Sequence, residues 1–249
     1  MNLVLKYTAI KAFLLVVSTF LIVICPFTTQ IPENNSFLAV SASLSKSAEC
    51  ILLDPGHGGE DSGAIGVGGI LEKDINLPVT LKTGAFLRFF GYRTEFTRRT
   101  DRMTCDEGLT HQRDRKKSDI RNRFSQLEQS DCACFLSIHQ NYFGGDAHGA
   151  QIFYGPQQEE SAMLADILQN SLISLLQPEN KRVIKPVTDD VYLVYHAQKV
   201  AVLAECGFLS SNHDAALLMD DTYQNKVSFV LATGTIQYLT EREVTEWEK

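Results

Sequence analysis

Two histidines and two glutamates stand where they could do chemistry together: His57, Glu72, His139 and Glu205. His57 lies in "ILLDPGHGGEDSGAIG" (51–66), where three apolar residues enter a loop with five glycines. Glycine lets the backbone turn tightly, so the imidazole can be aimed inward. Glu72 follows in "GGILEKDINL", where the glycine-rich loop enters a helix. His139 closes the apolar run "ACFLSIH", and Glu205 closes "VAVLAE". Zinc sites in hydrolases commonly use three protein ligands and leave one position for water. His57 and His139 offer nitrogens, and Glu72 is the best third ligand. Zinc held there would lower the pKa of a water to about 7 and polarise a carbonyl. Glu205 then suits a general base that becomes a general acid.

Each residue also has a plainer reading. A histidine among glycines is commonly a surface residue. Glu72 could serve only as a helix N-terminal carboxylate favoured by the macrodipole. A carboxylate ending a buried apolar strand, like Glu205, needs a partner or a task. The set becomes meaningful if the fold delivers all four to one place.

The elements predict that it does. "CILLD", "YRTEFTR", "ACFLSIH", "GAQIFYG" and "VAVLAECGF" read as strands. Helical stretches alternate with them. Ile75, Val79, Phe86 and Phe89 share one helical face, with Pro78 near the start and Gly91 as a stop. Ile120, Phe124 and Leu127 share another. "QEESAMLADILQNSLISLL" and "DDTYQNKVSFVLATGTIQYL" read as two more helices. This alternation predicts an α/β single domain with a mostly parallel twisted sheet flanked by helices. Functional groups of such sheets gather at the carboxyl ends of the strands. Three strands here end near His57, at His139 and at Glu205.

The 249 residues allow one sizeable domain, and 44% hydrophobic with 21% charged residues is a globular composition. A net charge of −7 argues against a nucleic-acid partner held by bulk electrostatics. Lys6 and Lys11 precede the uncharged run "AFLLVVSTFLIVIC" (12–25), which Pro26 stops. Residues 1–27 therefore read as a signal peptide or a retained membrane anchor, which puts the body outside the cytoplasm. Residues 28–48 read as a linker, 49–240 as the catalytic domain and 241–249 as a charged tail. The spacing of the six cysteines implies no disulfide framework. Cys132 and Cys134 share a face of the same strand and read as small core residues.

Other chemistries fit less well. Cys206 adjoins Glu205 and could be a nucleophile. Neighbours in a strand point to opposite faces, so if Glu205 faces a cleft, Cys206 does not. "PGHGGEDSG" lacks the G-K-[ST] ending of a phosphate loop, and Glu60 and Asp61 would repel an anion.

"LLDPGHGGEDSGAIG", "LEKDINL", "TRRTD", "SIHQN" and "AECGFLS" occur in this order over about Cys50 to Leu239. They resemble the motifs of the zinc-dependent N-acetylmuramoyl-L-alanine amidases. The resemblance implies Zn²⁺ on His57, Glu72 and His139, with Glu205 catalytic. It also matches Arg123 to an arginine the family tends to keep. Arg123 and Asn141 are expected near the substrate. The implied reaction hydrolyses the amide between the muramic acid lactyl group and L-alanine in peptidoglycan. The short build resembles the germination-specific members that act on spore-cortex peptidoglycan on the way to muramic δ-lactam. A vegetative autolysin and a non-catalytic wall binder are the alternatives. The resemblance leaves open an accessory protein that helps load zinc. Ser211 stands where the family usually has asparagine.

Overall fold

The computed structural model describes residues 49–144 and 147–247. The expected signal peptide or anchor and the expected linker lie outside the described residues. Among the described residues, no helix is long and apolar enough to cross a membrane.

Six strands form one sheet: β1 (Cys50–Pro55), β2 (Arg93–Phe96), β3 (Cys134–Asn141), β4 (Gln151–Tyr154), β5 (Lys185–Pro186) and β6 (Val200–Phe208). Their spatial order is β2-β1-β3-β6-β4-β5. All neighbours are parallel except β4 and β6, so the expected mostly parallel α/β domain is found. β1, β3 and β6 lie side by side in the middle. Both faces of such strands are covered, which is why they read as continuous apolar runs.

The helices are α1 (Glu72–Phe89), α2 (Gln112–Gln129), α3 (Glu160–Leu175), α4 (Tyr192–His196), α5 (Asn212–Met219) and α6 (Asp221–Trp247). On one face Ile51, Leu53, Leu136 and Val202 pack with α1, α3 and α6 through Val79, Leu168 and Leu231. On the other, Leu52, Phe135 and Ala201 pack with Leu127 of α2 and Val194 of α4. Ser211 caps α5 by accepting from the Asp214 N–H, so serine does a job asparagine also does well.

Two expectations are corrected. Cys50 and Cys132 form a disulfide across 82 residues, joining the start of β1 to the chain just before β3. The sequence spacing hid it because the two cysteines meet only through strand pairing. Phe89 is not core but 82% exposed, at the last residue of α1. As expected, the helix α1 begins where the glycine-rich loop ends, at Glu72, and Pro78 falls in its second turn. α6 continues through Trp247, and Arg242 pairs with Glu49.

Candidate functional site

The four residues meet at the carboxyl edge of β1, β3 and β6. Glu72 lies between the two imidazoles. Its Oε2 is 3.1 Å from His57 Nε2 and its Oε1 is 2.9 Å from His139 Nδ1. One ligand atom from each of these three residues lies within 4.8 Å of the others. Glu205 is the Cα partner of His139 across β3 and β6. Its Oε2 is buried without a hydrogen-bond partner among the described residues.

The loop after β1 is shaped for this meeting. His57 adopts φ +58°, and it is the only non-glycine residue with a positive φ among the described residues. That conformation costs a side-chain-bearing residue roughly 1–2 kcal/mol. A methyl group at Gly56 would overlap the His139 ring, and one at Gly63 would overlap Glu72 and His57. These two glycines leave the space that the side chains of His57, Glu72 and His139 occupy.

Glu72 is fixed from several sides. Its Oε2 accepts from the Ala64 N–H at 2.9 Å, and its Oε1 accepts from Asn76 Nδ2 and the Gln140 N–H, both at 3.1 Å. Burial opposes its charge, but both histidines hold it far below the usual carboxylate range. His57 is oriented by Asp61, whose Oδ2 is 2.9 Å from Nδ1. Burial works against a charged His57, yet hydrogen bonds and charge from Asp61 and Glu72 raise its pKa to about 9. Burial, with the charge of Glu72 added, pushes Glu205 up to about 8.

The residues fit a zinc ion. Two imidazole nitrogens and one carboxylate oxygen are a hydrolase donor set. Asp61 takes the outer nitrogen of His57, which leaves Nε2 facing inward, the usual outer arrangement of a metal-bound histidine. Besides this cluster, only Cys50, Glu95, Asp131 and Cys132 come together as possible ligands among the described residues, and there both thiols are in the disulfide.

A cavity of about 300 Å³ opens beside Glu205 between α2 and α4, lined among others by Lys116, Ile120, Tyr192, Val194 and Leu203. Cys206 points the other way into the core, where burial raises its thiol to about 12. A cysteine nucleophile is therefore excluded on geometry as well as on acidity.

The two residues expected near the substrate sit differently. Asn141 ends β3, and its carbonyl accepts from the Leu209 N–H at 2.8 Å. It is not among the residues lining the cavity. Arg123 borders the cavity, but its guanidinium bonds inward. It donates to Asp54 at 2.8 Å, to Asp119 at 2.9 Å, and to the carbonyls of Pro55 and His57 at 2.7 and 2.6 Å. Arg98, given no role from sequence, donates to the carbonyls of Pro55 and Gly56 at 3.0 and 2.9 Å. The signal that could have marked it is its place in "TRRTD", just after an edge strand that pairs with β1.

An open, mostly parallel sheet that brings two histidines and two glutamates to one carboxyl edge beside a cleft has the build of a hydrolase. Comparison with known families narrows this. The N-acetylmuramoyl-L-alanine amidase family model matches residues 51–237, and the chain belongs to that family. It is an N-acetylmuramoyl-L-alanine amidase. It is 34% identical to the germination-specific N-acetylmuramoyl-L-alanine amidase of Bacillus subtilis, over 90% of this chain and 92% of that protein. It is 28% identical to the amidase LytC of the same organism, over 76% of this chain but 35% of that protein. Among solved structures it resembles the CwlD amidase of Clostridioides difficile, determined in complex with the GerS lipoprotein. That match has a TM-score of 0.74 and 35% identity, covering 77% of this chain and 98% of that one.

Proposed function

We propose that this amidase is zinc-dependent and acts on spore-cortex peptidoglycan, with His57, Glu72 and His139 as metal ligands and Glu205 as general base and acid. The observation that carries the reading is the convergence of Glu72 on both imidazoles, with the unpartnered Glu205 Oε2 beside them. Zinc, when bound, supplies a Lewis acid for the lactyl carbonyl and makes a nearby water acidic. Glu205 accepts a proton from the attacking water at its free carboxylate oxygen. It returns the proton to the alanine nitrogen as the C–N bond breaks, leaving a lactyl carboxylate and a free stem peptide. Asp61 keeps His57 in the right tautomer, and Gly56 and Gly63 keep the ligands in contact.

The cortex reading is supported by the likeness to the germination-specific amidase over nearly the full length of both chains. The likeness to an amidase solved with a lipoprotein supports an accessory partner. The Cys50–Cys132 disulfide supports an oxidising, extracytoplasmic location. The apolar segment 12–25 fits a membrane anchor or export signal for such a body.

The test is mass spectrometry of cortex and vegetative peptidoglycan digested separately with the zinc-loaded protein. Free stem peptides and intact glycan, released faster from cortex, are expected. Equal release from both walls would replace the cortex reading with that of a general autolysin. Cleavage between amino acids would overturn the amidase mechanism itself.

A further inference from the structure

The reaction above leaves the segment "TRRTD" (97–101) without a task. We infer that Arg98, together with Arg123, is a carbonyl clamp that holds the main chain of His57 in its left-handed conformation and so presents the imidazole for metal binding. The inference rests on the metal reading of His57.

Three successive carbonyls are gripped. Arg98 Nε donates to Pro55 O and Nη2 to Gly56 O, at 3.0 and 2.9 Å. Arg123 Nη1 and Nη2 donate to Pro55 O and His57 O, at 2.7 and 2.6 Å. Side-chain-bearing residues keep a positive φ only where their surroundings over-determine it. Two planar forks on three consecutive oxygens do that.

The burial of Arg98 points the same way. The residue is 1% exposed, and its third bond is to the Thr100 carbonyl at 3.1 Å. Arg123 has Asp54 and Asp119 as direct ion partners. Arg98 has no such contact among the described residues, and its hydrogen bonds all go to main-chain oxygens. A guanidinium removed from water for that purpose marks a backbone worth fixing.

The rest of the motif braces the same loop. Thr97 Oγ1 donates to Asp54, the carboxylate that Arg123 also meets. Asp101 accepts from the Gly59 N–H at 2.7 Å. Gly58 has φ +136°, and a side chain there would meet the Arg102 carbonyl at 2.6 Å and Arg98 Nε at 2.8 Å, so glycine lets the loop and the clamp lie this close.

The test uses the full chain with Arg98→Met and Arg98→Lys, each checked for fold by circular dichroism and thermal melting. Zinc affinity is measured by chelator competition at a temperature where all variants are folded. Hydrogen exchange is followed in the metal-free proteins. Arg98→Met is expected to weaken zinc about 10-fold or more, and to speed exchange in residues 56–63 above other loops. Arg98→Lys should recover part of both. Leu172→Ala, a core change in α3, should lower the melting temperature and leave zinc affinity unchanged. The inference is overturned if Arg98→Met binds zinc within about twofold of the parent, or if Leu172→Ala weakens zinc as much. It is also overturned if exchange rises no more in 56–63 than elsewhere. If Arg98→Met does not fold, Arg98→Lys carries both comparisons, with a loss expected. If the parent itself binds no zinc, the metal reading fails, and the exchange pattern alone decides the clamp.

Discussion

His139 and Glu205 are Cα partners on adjacent parallel strands, β3 and β6. Paired residues project from the same face of a sheet. A metal-ligand candidate and the proposed proton carrier are thus set side by side by main-chain hydrogen bonds, independently of any loop.

Glu205→Gln keeps the shape and removes the proton acceptor. Activity should fall about 10²–10⁴-fold, while zinc content stays at the parent level. Peptide release from peptidoglycan and elemental analysis of the purified protein read the two quantities separately. Loss of zinc together with activity would make Glu205 a ligand rather than a base.

Gly56→Ala tests the space beside His139. Gly56 does not have a positive φ, so the effect is steric: the new methyl must displace the His139 ring. Activity and zinc affinity should both drop, with melting lowered by an overpacking cost of about 1–3 kcal/mol. Gly144→Ala, which faces open space, should leave both unchanged.

Most of this centre can be read from the sequence because parallel strands put their carboxyl ends together. His57, Glu72, His139 and Glu205 each follow or end an apolar run, and the fold then brings them to one edge. Arg98 could not be found that way. It looks like a surface cation beside Arg99 and becomes buried only when β2 pairs with β1. The disulfide escaped for the same reason, since pairing of Ile51 with Cys134 is what brings Cys50 and Cys132 together. Phe89 misled because helical spacing shows which face is apolar but not that the helix ends at that residue.

His57 titrates high in the metal-free protein, at about 9. It is therefore charged at neutral pH and must lose its proton to bind metal. Zinc affinity should rise with pH up to about 9, and binding near pH 7 should release roughly one proton. Calorimetry in buffers of different ionisation enthalpy measures that release. The same raised pKa stabilises the metal-free fold fully below about 6.5, the unfolded value, and this contribution is lost as pH climbs through about 9. A proton release of zero would show that His57 is already neutral.

Asp54 gives the acid side. Burial opposes its charge, but Arg123, Thr97 and Ser137 outweigh that and lower it from 3.8 to about 2. Its ionised form contributes stability above the unfolded pKa, and this is lost as pH falls through about 2. The contribution is roughly 2 kcal/mol. Asp54→Asn should be destabilised at neutral pH, with the gap to the parent narrowing as the solution is acidified. Urea unfolding across the acid range follows the gap. A gap independent of pH would assign the loss to packing.

Closing an 82-residue loop, the Cys50–Cys132 bond should stabilise the fold by roughly 4 kcal/mol. Cys50→Ala with Cys132→Ala should melt well below the parent, and a reductant should lower the parent toward the double variant. A reductant without effect on melting would mean that the bond does not form in solution.

That bond sits at the opposite end of β1 and β3 from His57 and His139. The two strands behave like the blades of a tool riveted at the handle, with the working tips left free of covalent ties. In a reducing compartment the rivet is missing, and the sheet depends on packing alone. Once the chain reaches an oxidising one, the handle locks. Durability is then acquired after transport, without altering the edge that carries the proposed site.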